Sequence, residues 1–426
     1  MKYREQLKKG FQFVVVVMCL VTACVSQREH GGVLTTAAAS AYSFEPPFYG
    51  ALYSECAGSL LVNQGQISAN NGRTWSELAP KLNFETNLPY GFRRNAITSV
   101  LDRNTSRVVT IVNALDTPGL DPKAHEPKVA QQTYYLRYRV SVDGGRTWLF
   151  EEPIVQKGAF DGQHPMDGVW VGTNAIYLGD VGSIPLVTRS GKILVPAQMT
   201  VMDSAGKLFN PTGGHTYTDV RVLIGSWTND NRLEWTVSEP VRGDPARTTR
   251  GLIEPTLAQF PDGRILMVMR GSNGGKSDPH HQLPSYKWFS TSLDEGVTWS
   301  KPEPLLYDDG APAYSPSSMS ALLMHSSGRC FWAGNLTSTN CQGNLPRYPL
   351  VIGEIDRNTL RLLRDTVLTI DTHRPDDSAR GRLDISHLTM YEDRQTHEIV
   401  LTYPRAHNAY KSREWMTVRL AAGEPD

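Results

Sequence analysis

Short apolar runs, each led in by a polar turn, recur along this chain: Ser190-Gly191-Lys192 opens onto Ile193-Leu194, Asp262-Gly263-Arg264 onto Ile265-Leu266, and Ser327-Gly328-Arg329 onto Cys330-Phe331. Apolar runs of this length bounded by glycine turns read as β-strands. Apolar positions at helical spacing are not sustained anywhere over a long stretch, so the pattern predicts an all-β chain.

A second pattern, S-x-(D/N)-x-G-x-T-W, returns three times, at Ser68 to Trp75, Ser141 to Trp148 and Ser292 to Trp299, with a degenerate fourth copy over Ser226 to Trp235. It reads as a hairpin tip. Asn70, Asp143 and Asp294 can accept from nearby backbone N–H groups, and Gly72, Gly145 and Gly296 supply the positive φ that such a turn needs. A pattern recurring this far apart marks one supersecondary unit used repeatedly.

The octapeptide resembles the Asp-box, or neuraminidase repeat, of sialidase-type propellers, where it joins the outer two strands of a blade on the rim. The resemblance implies a six-bladed β-propeller over residues 45–420, and it gives the boxes to the fold rather than to chemistry. Propeller blades are four-stranded sheets set radially around a central mouth.

Composition adds two points. With 43 basic and 43 acidic residues in a chain of 426, bulk charge offers no grip on nucleic acid. Recognition must therefore be local. The start of the chain reads as a targeting segment: Lys2, Arg4, Lys8 and Lys9 precede the apolar run Phe11 to Val21, which is too short to span a bilayer. Val21-Thr22-Ala23-Cys24 is similar to a bacterial lipobox, which implies a lipid on Cys24 and an anchored protein, periplasmic or at the cell surface. On that reading residues 1–24 are a signal peptide and 25–44 a short linker. Of the remaining cysteines, Cys56, Cys330 and Cys341, the last two are candidates for a disulfide.

The resemblance extends to candidate chemistry. Arg93, in Phe92-Arg93-Arg94-Asn95, stands where sialidases carry the arginine of the Phe-Arg-Ile-Pro region, although the Ile-Pro part is missing. Glu254 in Ile253-Glu254-Pro255, Arg270 after Met267-Val268-Met269, and Arg347 in Leu345-Pro346-Arg347 follow in the family's order. Three guanidinium groups around one point hold a carboxylate by paired, charge-assisted hydrogen bonds and stay charged at any working pH. The implied ligand is an acidic sugar of a glycan. Asp116, first among Asp116, Asp121, His125 and Glu126 in the loop 113–132, would be the acid/base.

One departure stands out. Sialidases use a tyrosine nucleophile activated by a glutamate, yet in Leu383-Asp384-Ile385-Ser386-His387-Leu388 the tyrosine position is Ile385. Tyr314, Tyr391 and His387 are the candidate replacements, His387 being suited to proton transfer near neutral pH; His164 and His215 rank below it. The expected activity is that of an exo-sialidase-like glycoside hydrolase. The alternatives are a uronate-specific glycosidase or lyase using His387, or a glycan-binding propeller without catalysis. No spacing suggests a metal site, and no cofactor motif is present.

Overall fold

The computed structural model describes residues 34–56, 60–63, 65–77, 93–115 and 130–423. They form six antiparallel sheets, each a propeller blade. Blade 1 runs outward through Leu52–Tyr53, Leu61–Asn63, Gln66–Ser68 and Ser76–Glu77. Blade 2 comprises Arg93–Asp102, Arg107–Leu115, Tyr134–Ser141 and Glu151–Pro153. Blade 3 has an innermost strand in two pieces, Ile176–Tyr177 and Leu186–Val187, followed by Ile193–Thr200, Thr218–Trp227 and Leu233–Val237.

Blade 4 contains Ile253–Gln259, Ile265–Arg270, Lys287–Ser292 and Glu303–Pro304. Blade 5 contains Ala321–Met324, Cys330–Asn335, Leu350–Ile355 and Leu368–Asp371. In blade 6 the inner strand is again split, Leu383–Asp384 and Thr389–Glu392, and is followed by Ile399–His407 and Ser412–Ala422.

The outermost strand of blade 6 comes from the other end of the chain. Leu34–Tyr42 pairs antiparallel with Ser412–Ala422, from Leu34 opposite Ala422 to Tyr42 opposite Trp415. This corrects the reading of 25–44 as a linker: residues 34–42 belong to the propeller and lock first strand to last, closing the ring so that blade 6 has no bare edge there. The small-residue composition of Thr35 to Ala41 hid a strand that is largely exposed and earns its place by ladder hydrogen bonds.

The apolar runs are continuous because each blade is covered on both faces. Within Ile265–Arg270, Ile265 and Met267 pack toward Leu194 and Val222 of blade 3, while Leu266 and Val268 pack toward Trp332 and Val351 of blade 5. Core therefore lies between neighbouring blades, and the axis is left to polar groups.

The three boxes are the turns between third and fourth strands of blades 1, 2 and 4. In each, the serine hydroxyl accepts from the glycine N–H at 2.8 Å, and the Asn or Asp oxygen two residues after it accepts from the threonine N–H at 2.9 Å. The degenerate copy occupies the same turn of blade 3, where Asn231, at φ 64°, takes the left-handed conformation in place of glycine. Since strands alternate in direction, these turns all lie on one face. The starts of first strands and the turns between second and third strands lie on the opposite face, where the candidate residues gather.

Blade 6 is braced by a buried ion network. Arg405 donates to Asp371 Oδ1 at 2.6 Å and to Asp377 Oδ2 at 2.5 Å, and His407 Nε2 lies 2.7 Å from Asp377 Oδ1. All four residues are buried. Removing one partner of such a network strands uncompensated charge, so Arg405→Ala should destabilise the fold by about 3–5 kcal/mol. Chemical denaturation measures this, and a loss below about 1 kcal/mol would contradict the bracing role. Cys330 and Cys341 are separate free thiols, not a disulfide. Cys330 sits in the core between blades 4 and 5, where burial pushes its thiol up to about 12, while Cys341 lies 3.0 Å from the Thr337 hydroxyl.

Candidate functional site

In blades 3, 4 and 6 the innermost strand is irregular, and each of these irregularities carries a polar side chain of the cluster described below. In blade 3 the break between Tyr177 and Leu186 carries Asp180. In blade 4 a register shift between Ile253 and Thr256 contains Glu254 at φ 49°, a conformation a glutamate adopts only where its surroundings impose it. In blade 6 the break between Asp384 and Thr389 carries His387. Gly179 allows blades 3 and 4 to meet here, since a Cβ on it would stand 2.6 Å from Glu254 Cγ and 2.5 Å from Gln198 Oε1.

Around these positions a chain of charged groups assembles. Arg270, at the end of the second strand of blade 4, donates from Nη1 to Glu254 Oε1 at 2.5 Å and from Nε to the Ser317 hydroxyl at 2.8 Å. Arg347 donates from Nη1 to Asp384 Oδ2 at 2.8 Å and to the Ser386 hydroxyl at 3.3 Å. Within this chain of charged groups two buried atoms, Arg347 Nε and Glu254 Oε2, have no hydrogen-bond partner among the described residues. A buried donor and a buried acceptor left open in one cluster are costly unless a ligand fills them.

His387 links the two halves of the cluster. Its Nε2 lies 3.3 Å from Asp180 Oδ2, and its Nδ1 faces Asp384 Oδ1 at 3.8 Å and is hydrogen-bonded to the Tyr410 hydroxyl. Burial by itself would lower the His387 pKa, but the carboxylates of Asp180 and Asp384 outweigh it and hold the imidazole above its ordinary value. Burial would likewise raise Asp180 and Asp384, and the facing cations reverse that: His387 and Arg270 for the first, Arg347 and His387 for the second. The Tyr410 phenol is pushed up, by burial first and then by Asp384. Tyr410 comes from the turn between the second and third strands of blade 6, where Asn408, Ala409 and Tyr410 all have positive φ.

Of the residues singled out from sequence, Glu254, Arg270, Arg347 and His387 meet in this one cluster. Arg93 begins the innermost strand of blade 2, on the same face, and its side chain lies outside the described residues. Asp116, Asp121, His125, Glu126 and Cys24 also lie outside them. Tyr314 is not joined to the cluster by any hydrogen bond among the described residues. Its ring stacks on Tyr286 with centroids 5.8 Å apart. Tyr391 packs against Tyr53 of blade 1. His164 stacks on Trp170, and His215 is exposed.

Ile385 is fully buried in the core between blades 5 and 6, with its side chain away from the axis. Asp384 before it and Ser386 after it supply the polar contacts instead, Ser386 donating to Asp384 Oδ1 at 2.7 Å. Sequence reasoning missed Asp180, Asp384, Tyr410 and Lys287. Asp180 had a usable signal, a Gly-Asp break between two short apolar pieces, and Lys287 another, a charge inside an otherwise buried strand.

A family model described as a BNR repeat-like domain matches residues 121–367. Among solved structures, a protein of unknown function from Dyadobacter fermentans DSM 18053 is 13% identical, with 91% of this chain and 99% of that chain covered and a TM-score of 0.55. A Hadza microbial sialidase is 13% identical over 87% of this chain and 65% of its own, with a TM-score of 0.53. The NanB sialidase from Streptococcus pneumoniae is 12% identical over 93% and 70%, with a TM-score of 0.50. At these identities the likeness is one of fold. No match is found among curated proteins. The family model covers more than half of the chain and the six blades agree with it, so this protein belongs to the BNR repeat-like domain family, on a sialidase-like propeller.

Proposed function

We propose that the mouth is the active centre of an exo-acting glycoside hydrolase for a terminal acidic sugar of the sialic acid type. The observation that carries this reading is the chain Asp180–His387–Tyr410, which ends at a phenol hydroxyl near the guanidinium group of Arg347. Nucleophile, base and orienting carboxylate in hydrogen-bonded sequence are the arrangement that activates a hydroxyl. With Asp180 accepting from Nε2–H, the neutral imidazole presents Nδ1 as the acceptor for the Tyr410 proton.

In this mechanism Arg270 and Arg347, joined by Arg93, hold the sugar carboxylate. Tyr410 Oη attacks the anomeric carbon as its proton passes to His387 Nδ1. The glycosidic oxygen leaves with a proton from the acid, for which Asp116 is the candidate, and water then releases the sugar from Tyr410. Glu254 keeps Arg270 in place and offers Oε2 to a sugar hydroxyl. Tyr410 thus takes the part for which Ile385 is unsuited.

The same pair serves a second reading, in which His387 or Tyr410 removes the proton beside a uronate carboxylate and a β-elimination follows. Product analysis by mass spectrometry separates the readings. Sialyllactose should give free sialic acid. An unsaturated uronate from acidic oligosaccharides, with sialyllactose untouched, would replace hydrolysis by elimination, and no product from either would leave a glycan-binding propeller. The lipobox reading adds an anchor at Cys24 at the bacterial membrane, and loss of palmitate labelling in Cys24→Ala is its test.

A further inference from the structure

Lys287 is a cation of the cluster that the mechanism above leaves unused. It opens the third strand of blade 4, directly opposite Arg270 in the ladder, so the two cations rise on the same side of the sheet. It is 1% exposed, and its Nζ donates to the Pro316 carbonyl oxygen at 2.9 Å. The other cations of the cluster have carboxylate partners: Arg270 has Glu254, Arg347 has Asp384, and His387 has Asp180. Lys287 has none among the described residues. A buried ammonium next to two guanidinium groups, with only a carbonyl for support, favours its neutral form.

We propose that Lys287 completes the carboxylate clamp as a proton acceptor, neutral while the mouth is empty and taking one proton from solvent when the acidic sugar binds. This rests on the reading that Arg270 and Arg347 receive a carboxylate. The groups that face the amine fix the sign of the effect. Burial lowers its pKa most, Arg270 and Arg347 lower it further, Glu254 and Cys341 oppose them, and the balance brings it to about 7. A carboxylate added at the arginines brings the missing negative charge and raises it. An arginine at this position would be charged in the empty mouth and would repel Arg270 continuously; a lysine can give up its proton there and regain it when the ligand is present.

The experiment is calorimetric titration of the wild-type protein with free sialic acid and with glucuronate at about pH 7.5, in two buffers of different ionisation enthalpy. The expected result is uptake of a large fraction of one proton per bound acid, with affinity falling about tenfold per pH unit between the free and the bound pKa. The carboxylates of Asp180 and Asp384 also hold His387 above its ordinary pKa, so the titration is repeated in His387→Gln, where the uptake should persist, and in Lys287→Met, where it should fall sharply while binding remains measurable. Should Lys287→Met fail to fold, Lys287→Gln serves the same comparison, and the wild-type buffer dependence needs no variant. Binding without proton uptake overturns the role of Lys287 and leaves the clamp standing. No binding of either acid overturns the clamp and this role with it.

Discussion

Tyr410→Phe should lower kcat by about 10²–10⁴-fold while leaving KM nearly unchanged. The substitution removes one oxygen and keeps the ring, which meets the His387 imidazole edge to face with centroids 5.3 Å apart. Packing, and hence the shape of the mouth, should survive. A tyrosine that only supported the hairpin would lose stability and little turnover, the opposite signature.

The pH profile gives an independent check. His387 must be neutral at Nδ1 to receive the phenol proton, and its carboxylate neighbours hold its pKa above the ordinary value. Activity should therefore rise with pH through that raised pKa. His387→Gln should remove the acid limb together with most of the activity. If Lys287 is the clamp's proton acceptor, an alkaline limb of falling kcat/KM follows, and the full profile is bell-shaped.

Arg347→Gln should weaken binding of the acidic sugar by about 10²–10³-fold, the scale of losing a charge-assisted hydrogen-bonding fork in a buried site. The effect should appear in kcat/KM, since the carboxylate of a sialic acid is bonded to the anomeric carbon itself and the arginine that holds it acts on ground and transition states together. Some stability goes too, because Asp384 loses its nearest cation. Arg347→Lys distinguishes the two costs. It restores a charge for Asp384 but cannot form the fork, so stability should recover further than affinity. Equal recovery of both would assign Arg347 to the fold.

The propeller was legible because its signals are local. A serine, an Asn or Asp and a glycine at fixed offsets dictate one turn, and alternate side chains of Ile265–Arg270 read as a buried strand whichever blade covers them. Leu34–Tyr42 was not legible, because what makes it a strand is Ser412–Ala422 at the far end of the chain. The site divides in the same way. Glu254, Arg270, Arg347 and His387 sit in stretches with a recognisable order.

Asp180 and Tyr410 acquire meaning only where broken inner strands and a hairpin tip from different blades meet at the axis. Asp384 stands in the same motif, but the chemistry that the family resemblance implies falls on the next position, Ile385, so the sequence does not single it out. A side chain's burial between blades, which turns Ile385 away and leaves the axis to its neighbours, is set by the packing of blades 5 and 6.

We propose that the mouth of this propeller holds a carboxylate between Arg270 and Arg347. This is tested most directly by measuring the affinity of wild-type protein for sialic acid and for its methyl ester under one set of conditions. The ester keeps the shape and loses the charge, so the account predicts binding at least about 10²-fold weaker, as expected when charge-assisted hydrogen bonds to a buried pair of guanidinium groups are lost. Equal affinity for acid and ester would contradict it.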